Sequence, residues 1–258
     1  MGECKSRRKR LLTPHQKCAY CAEAQATQLD HCPPRVMFRN KDRPAGFEIP
    51  SCAECNQGTR DVDQVMAFFG RALEHENQET DHRIIKKILS GISNNIPGLL
   101  DELKTSRASE KIQLKRLGLP NDMGVFRCDG PLAQKFLEAF AYKMTVACHF
   151  ECTRSLIEDN FLLKATYYSN FQIFDGTFPS EIFGGWPDFK TLNQGKKNAS
   201  DQFQYSDLHD DNIRHGYFCT FRRSFAILGM IVCSGKYENA RSHGFKTLAE
   251  VSKMLKSL

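Results

Sequence analysis

Two Cys-x-x-C pairs, CAYC at Cys18 and Cys21 and CAEC at Cys52 and Cys55, bracket a loop-rich segment near the start of the chain. Thiolates are soft ligands, and four of them in this two-by-two arrangement meet the tetrahedral preference of Zn2+ with no position left open. A closed site of that kind is structural, so Zn2+ is expected as a structural cofactor on Cys18, Cys21, Cys52 and Cys55. Between the pairs lies LDHCPP, Leu29 to Pro34, where the carboxylate of Asp30 adjoins the imidazole of His31, and Asn56 directly follows Cys55. Zinc would pin both ends of the segment and can bring Asp30 and Asn56 together. Their hard oxygens suit a catalytic Mg2+ or Mn2+. His31 is placed to take a proton from a water attacking phosphate. An ion held by only two protein oxygens keeps room for a phosphate oxygen and a leaving alkoxide, as phosphodiester hydrolysis requires.

The run CAYC, LDHCPP, IPSCAECNQG resembles the zinc-containing branch of the HNH endonucleases, whose catalytic unit is the ββα-metal fold. The resemblance covers about residues 15 to 70. It implies Asp30 as metal ligand, His31 as general base and Asn56 as second ligand, in a His-Asn-Asn type variant. It also implies that the Asp-His pair ends the first strand and that the second Cys-x-x-C lies at the turn into the helix. One position departs from the pattern: the middle Asn of the family falls where this chain has Phe47, with Asn40 as a substitute from within the loop. Where the family often carries a Lys after the final His or Asn, Thr59 and Arg60 stand here, and Arg60 is the phosphate-clamp candidate.

A lone Asp-His pair is more often two surface residues than a catalytic pair; its place between two thiolate pairs separates this one from that background. Cys32 lacks a partner at ligand spacing and reads as a small packing residue, while Pro33 and Pro34 stiffen the exit from the strand. Further along, HDDNIRHGYFCTFRR holds His209, Asp210, Asp211 and His215, which read first as a solvated turn and second as another metal site. Arg214, Arg222 and Arg223 are candidate phosphate contacts.

Composition agrees with an intracellular nucleic-acid enzyme. The chain has 258 residues, 41% of them hydrophobic, and a formal net charge of +6. The basic excess is concentrated in KSRRKR, making Arg7, Arg8, Lys9 and Arg10 expected nucleic-acid contacts. Eleven cysteines, an odd number, with only four in close pairs, argue against a disulfide scaffold and for metal binding plus small core residues. No run reaches the ~18 apolar residues of a membrane span, and no apolar segment follows the basic cluster as in a secretory signal; a cytoplasmic protein without membrane contact is expected. MGECKS with its basic run also fits a loose acylation pattern, which gives a lipid-anchored adaptor as a minor alternative. No internal repeat and no Walker-type phosphate loop occur.

The positioning elements follow from periodicity. Val62, Val65, Met66, Phe69 and Leu73 predict a helix; Ile84, Ile85, Ile88, Leu89 and Ile92 predict a second, capped by Asp81. A third is predicted over Leu99–Leu117, and a long fourth starts just after Pro131. YYSNFQIF, HGYFCTFRR and FAILGMIVC predict strands, the last two as a hairpin turning at Arg222–Ser224, with a long polar loop before them and a closing helix over Leu248–Leu258. The expected fold class is α+β: a basic arm over 1–12, a zinc-stabilised ββα-metal module over 13–75, a helical connection over 76–125, and an α+β C-terminal domain over 126–258. The expected function is metal-dependent endonuclease activity on nucleic acid, double-stranded DNA first and RNA second, in a bacterial or phage restriction or defence setting. The C-terminal domain would then select substrate, or make a homodimer or partner contact. The rival expectation is a zinc knuckle that binds nucleic acid or protein without catalysis.

Overall fold

In the computed structural model Gln28–His31 (β1) pairs antiparallel with Glu48–Ser51 (β2), Asp30 opposite Ile49 and His31 opposite Glu48. The described residues are 11–13, 16–39, 42–72, 79–116, 118, 125–174, 177–178, 186–194, 197–210, 214–222, 224–237 and 239–258. Arg7, Arg8, Lys9, Arg10, Asn40, Asp211 and Arg223 lie outside them, and with them the whole basic run. After β2 the chain enters Ala53–Gly58 (α1), whose first turn is capped by Cys52: its Sγ accepts the Cys55 N–H at 3.4 Å. Two strands and a helix therefore follow one another in the order β, β, α.

Arg60–Ala72 (α2) and Glu79–Asn95 (α3) pack on each other. Asp81 lies inside α3 and not at its cap. The third predicted helix is instead two pieces, Leu99–Glu102 (α4) and Arg107–Arg116 (α5). They are separated at Lys104-Thr105-Ser106, where the Ser106 hydroxyl accepts the Ser109 N–H and starts a new helix. Glu102 then turns to the next element: its carboxylate accepts the N–H groups of Leu132 at 3.1 Å and Ala133 at 2.7 Å, at the N-terminus of Pro131–Thr153 (α6). Those donors have no partner within the helix, and an anion there also complements its dipole. Residues 139 to 150 of α6 are all buried, the mark of a central helix and not of an amphipathic surface one.

A four-stranded antiparallel sheet covers α6, in the order Phe161–Ser169 (β3), Phe225–Cys233 (β8), Arg214–Phe221 (β7), Gln204–Asp210 (β6). YYSNFQIF is thus only partly strand: β3 ends at Ser169 and the chain winds into the short helix Asn170–Phe174 (α7). A two-stranded ribbon, Asn193–Gln194 (β4) with Lys197–Asn198 (β5), interrupts the long polar loop. The β7–β8 hairpin closes Phe221 on Phe225, and Arg222 takes φ 51°, a left-handed conformation that the absence of Gly forces on an arginine. His209 and His215, read from sequence as a solvated turn, are directly paired residues of β6 and β7, with His215 buried. The closing helix is Leu248–Lys256 (α8), started by a Thr247–Glu250 capping box. Among the described residues no helix is long and apolar enough to cross a membrane, and the described cysteines are free thiols.

One buried apolar cluster runs from Leu11 through Tyr20, Phe47, Ile49 and Val65 to Phe140, Phe225 and Leu255. The ββα segment therefore shares its core with α6 and the sheet. Helix and sheet approach closely at Gly229 of β8, where an added Cβ would sit 2.3 Å from Thr145 Oγ1, itself bonded to the Ala141 carbonyl at 2.8 Å. Gly229→Ala is expected to cost about 1–3 kcal/mol by overpacking. Thr145→Ala in the same chain should recover part of that loss, read as the urea midpoint of single and double variants.

Candidate functional site

CAYC folds into a tight knuckle: the Ala22 N–H reaches the Cys18 carbonyl at 2.8 Å, and Ala22 itself is left-handed, φ 54°. The second pair sits at the entrance to α1. The four sulfurs of Cys18, Cys21, Cys52 and Cys55 are buried and lie within 4.8 Å of one another, a cluster that can hold a structural ion such as zinc. The Cys55 thiol donates to Cys18, a contact that lowers the Cys18 thiol and raises that of Cys55. The donor chemistry, four soft sulfurs and no neighbouring carboxylate in the set, fits zinc.

Asp30, on the strand between these pairs, is 5% exposed. Its Oδ2 accepts the Tyr20 hydroxyl at 2.8 Å and meets Lys143 Nζ at 2.9 Å. Lys143 projects from the middle of α6 with no exposure, and also binds both oxygens of Asp63 on α2, at 2.7 and 2.9 Å. The two carboxylates share one ammonium. Burial, offset in part by Lys143 and reinforced by Asp30, raises the Asp63 carboxyl to about 7, and the carboxylates hold the Lys143 ammonium well above its ordinary range against burial, which pulls it down. Tyr20 is pushed well up by burial and by Asp30, so it stays a hydrogen-bond donor.

His31 alternates to the other face of β1. Its Nδ1 lies 3.2 Å from Arg43 Nη2, which is also 3.2 Å from Glu48 Oε1. Burial first, and then Arg43, lower the imidazole below its usual range, leaving it neutral near pH 7. Asn56 extends from α1 onto Gln28, its Nδ2 donating to Gln28 Oε1 at 2.5 Å. Gln28 and Asp30 share a face of β1, so Asn56 meets the strand on the Asp30 side and one step short of it. The structure thus brings Asn56 to the Asp30 face and sets His31 against Arg43. Arg60 is exposed at the start of α2.

Phe47, at the departing position, is 1% exposed and left-handed, φ 54°. Its ring meets Phe203 and Tyr205 edge-on, with centroids 5.4 and 5.1 Å apart. Its N–H donates to Glu151 Oε2 at 2.8 Å, and its carbonyl accepts the Cys32 N–H at 3.2 Å. The loop between β1 and β2 is therefore tied by the Phe47 backbone and docked by its ring. Arg71 of α2 adds a second tie, donating to the carbonyls of Val36, at 2.6 Å, and Phe38. Cys32 is fully buried with its sulfur 3.3 Å from Met144 Sδ, a packing residue as its isolation suggested. In the C-terminal segment Arg214 is paired with Asp210 at 2.8 Å.

Sequence reading did not single out Tyr20, Asp63, Lys143 or Arg43. Only Lys143 carried a visible signal, one cation in the apolar run AFAYKMTVA. No known protein family, curated protein or solved structure matches the chain.

Three outcomes are expected. Cys52→Ser or Cys55→Ser should lose the metal and unfold the β1–β2–α1 segment, since structural zinc contributes on the order of 10–16 kcal/mol of apparent binding energy. Asp30→Ala should retain full zinc content by mass spectrometry. For Asp63, the folded state holds its proton more tightly than the unfolded chain, so its contribution is complete below about pH 4 and is lost as pH rises through about 7. Denaturant midpoints should fall between pH 5 and pH 8, and Asp63→Asn should flatten that slope.

Proposed function

We propose that the chain is a metal-dependent endonuclease of the HNH type that hydrolyses phosphodiester bonds, in double-stranded DNA first, in a restriction or defence role. One observation carries the reading: the strand that ends in Asp30-His31 is followed, through the four-cysteine cluster, by a helix whose Asn56 contacts that strand on the Asp30 face. Asp30 and Asn56 would hold a Mg2+ or Mn2+. Both contacts given above for Asp30 run to Oδ2, and Asn56 uses its Nδ2, so an oxygen of each side chain is outside those bonds. Bound there, the ion supplies Lewis-acid stabilisation to a phosphate oxygen and to the leaving alkoxide.

His31 serves as the base, and its lowered basicity keeps it unprotonated near neutral pH. In the resting arrangement the Arg43 guanidinium donates to Nδ1, which places the ring proton on Nε2. Arg43 must release Nδ1 before that atom can take a proton from water; Glu48, already within reach, can keep the guanidinium. Arg60 would grip an adjacent phosphate, and Arg7, Arg8, Lys9 and Arg10 would add contacts that do not depend on base sequence.

A second reading is favoured by the Lys143 ammonium on Asp30: a zinc-stabilised binding module whose carboxylate serves the fold. Supercoiled-plasmid nicking with Mg2+ or Mn2+ separates the two. Under the nuclease reading, His31→Ala lowers the nicking rate by about 10²–10⁴-fold, with DNA affinity and zinc content unchanged. A wild-type protein that binds DNA and nicks no faster than His31→Ala belongs to the second reading.

A further inference from the structure

Toward the C-terminal end of α6, beyond Lys143 at its middle, the sheet presents a polar group that the proposed cleavage chemistry does not use. Strand alternation puts Tyr205, Asp207 and His209 of β6 on one face, and register sets His209 across from His215 and Asp207 across from Tyr217. The last turn of α6 contributes His149 and Cys152 to that face. Ligand atoms of Cys152, Asp207 and His209 all lie within 4.8 Å of one another. Asp207 Oδ2 and His209 Nε2 are 3.2 Å apart. Two ligands of a tetrahedral zinc site are separated by about 3.3–3.6 Å, given bonds of ~2.0–2.1 Å to nitrogen or oxygen and ~2.3 Å to sulfur. The Asp–His edge is thus already near its bound length, and Cys152 has at most about 1.5 Å to close.

The surroundings have the order expected of a metal centre. The second nitrogen of His209, Nδ1, is 2.8 Å from Nδ1 of His215, so one imidazole supports the other through its remaining N–H. His215 is buried, its ring 5.4 Å from that of His149, whose Nδ1 is held at 2.9 Å by the Tyr217 hydroxyl. Asp207 Oδ1 pairs with the Lys190 ammonium, which leaves Oδ2 on the His209 side. The other charged groups nearby are already engaged: Glu151 with the Phe47 N–H and Arg154, and Asp210 with Arg214.

We infer that Cys152, Asp207 and His209 form a second metal site, distinct from the four-cysteine cluster, which takes a borderline divalent transition ion such as Zn2+ and keeps one coordination position for water or an exchangeable ligand. One sulfur, one nitrogen and one oxygen select such an ion over Mg2+ or Ca2+, which take oxygen alone. Three protein ligands, and not four, are the mark of a site that binds something besides the protein. Cys152 follows Glu151, the acceptor of the Phe47 N–H, so an ion here would fix the end of α6 from which the β1–β2 loop hangs.

The test uses the full chain with its four-cysteine site loaded with zinc and adds Co2+, reading cobalt absorption together with total zinc and cobalt by mass spectrometry. One cobalt per chain should bind without displacing zinc and show a thiolate-to-cobalt charge-transfer band. Cys152→Ser should lose that band, His209→Gln should lose the bound cobalt, and both should keep zinc and an unchanged far-UV spectrum. Asp207→Asn, isosteric, serves as a third variant should either of those fail to fold. His215→Ala, beside the ligands and not among them, should weaken cobalt binding by about 10–100-fold. No cobalt beyond that exchanged for zinc, or cobalt uptake with an identical spectrum in Cys152→Ser and His209→Gln, would overturn the inference.

Discussion

A lysine ammonium with no access to water, placed between two carboxylates from different elements, is the constraint around which this chain is arranged. Lys143 draws Asp30 of β1 and Asp63 of α2 onto the middle of α6. Removing Lys143 leaves two buried carboxylates without their cation, a loss of about 3–5 kcal/mol in comparable settings. The triad thereby specifies which face of β1 turns inward, and so where His31 must point. Zinc at the four cysteines would fix the ends of the segment; the ammonium fixes its orientation.

Phe47 shows how the loop is held where the resemblance would place an amide. A side-chain amide can tie a loop by hydrogen bonds of its own. Here the ties come from the Phe47 backbone, to Cys32 and Glu151, while the ring fills an aromatic recess made by Phe203 and Tyr205. A phenylalanine at positive φ carries strain, and the burial of its ring in that recess is what holds it there.

Legibility followed the kind of signal each feature leaves in one dimension. The four cysteines were readable because ligand spacing is local, and α2, α6, β8 and α8 because apolar period or a continuous apolar run marks them directly. The break between α4 and α5 was not, since Ser106 competes for a backbone N–H without disturbing the average pattern. β6 escaped notice because QYSDLHD sets Asp207 and His209 on the same face as Tyr205, so alternation shows no apolar face. The partners of Asp30 were illegible for a different reason: Lys143 and Asp63 reach it only after α6 and α2 have packed. His31 and Asn56 were placed on the right elements, yet their neighbours Arg43 and Gln28 depend on strand register, which no motif encodes.

The shared core also limits how this sequence can be inherited. A recombination event that carried residues 13–75 into another chain would move Asp30 and Asp63 without their cation, Phe47 without its aromatic recess, and Ile49 and Val65 without the helix that covers them. Such a graft would retain every residue of the recognisable motif and lose the surroundings that orient it. The segment can be transmitted as a working unit only together with α6 and the sheet, so lineages carrying it should change those parts in concert.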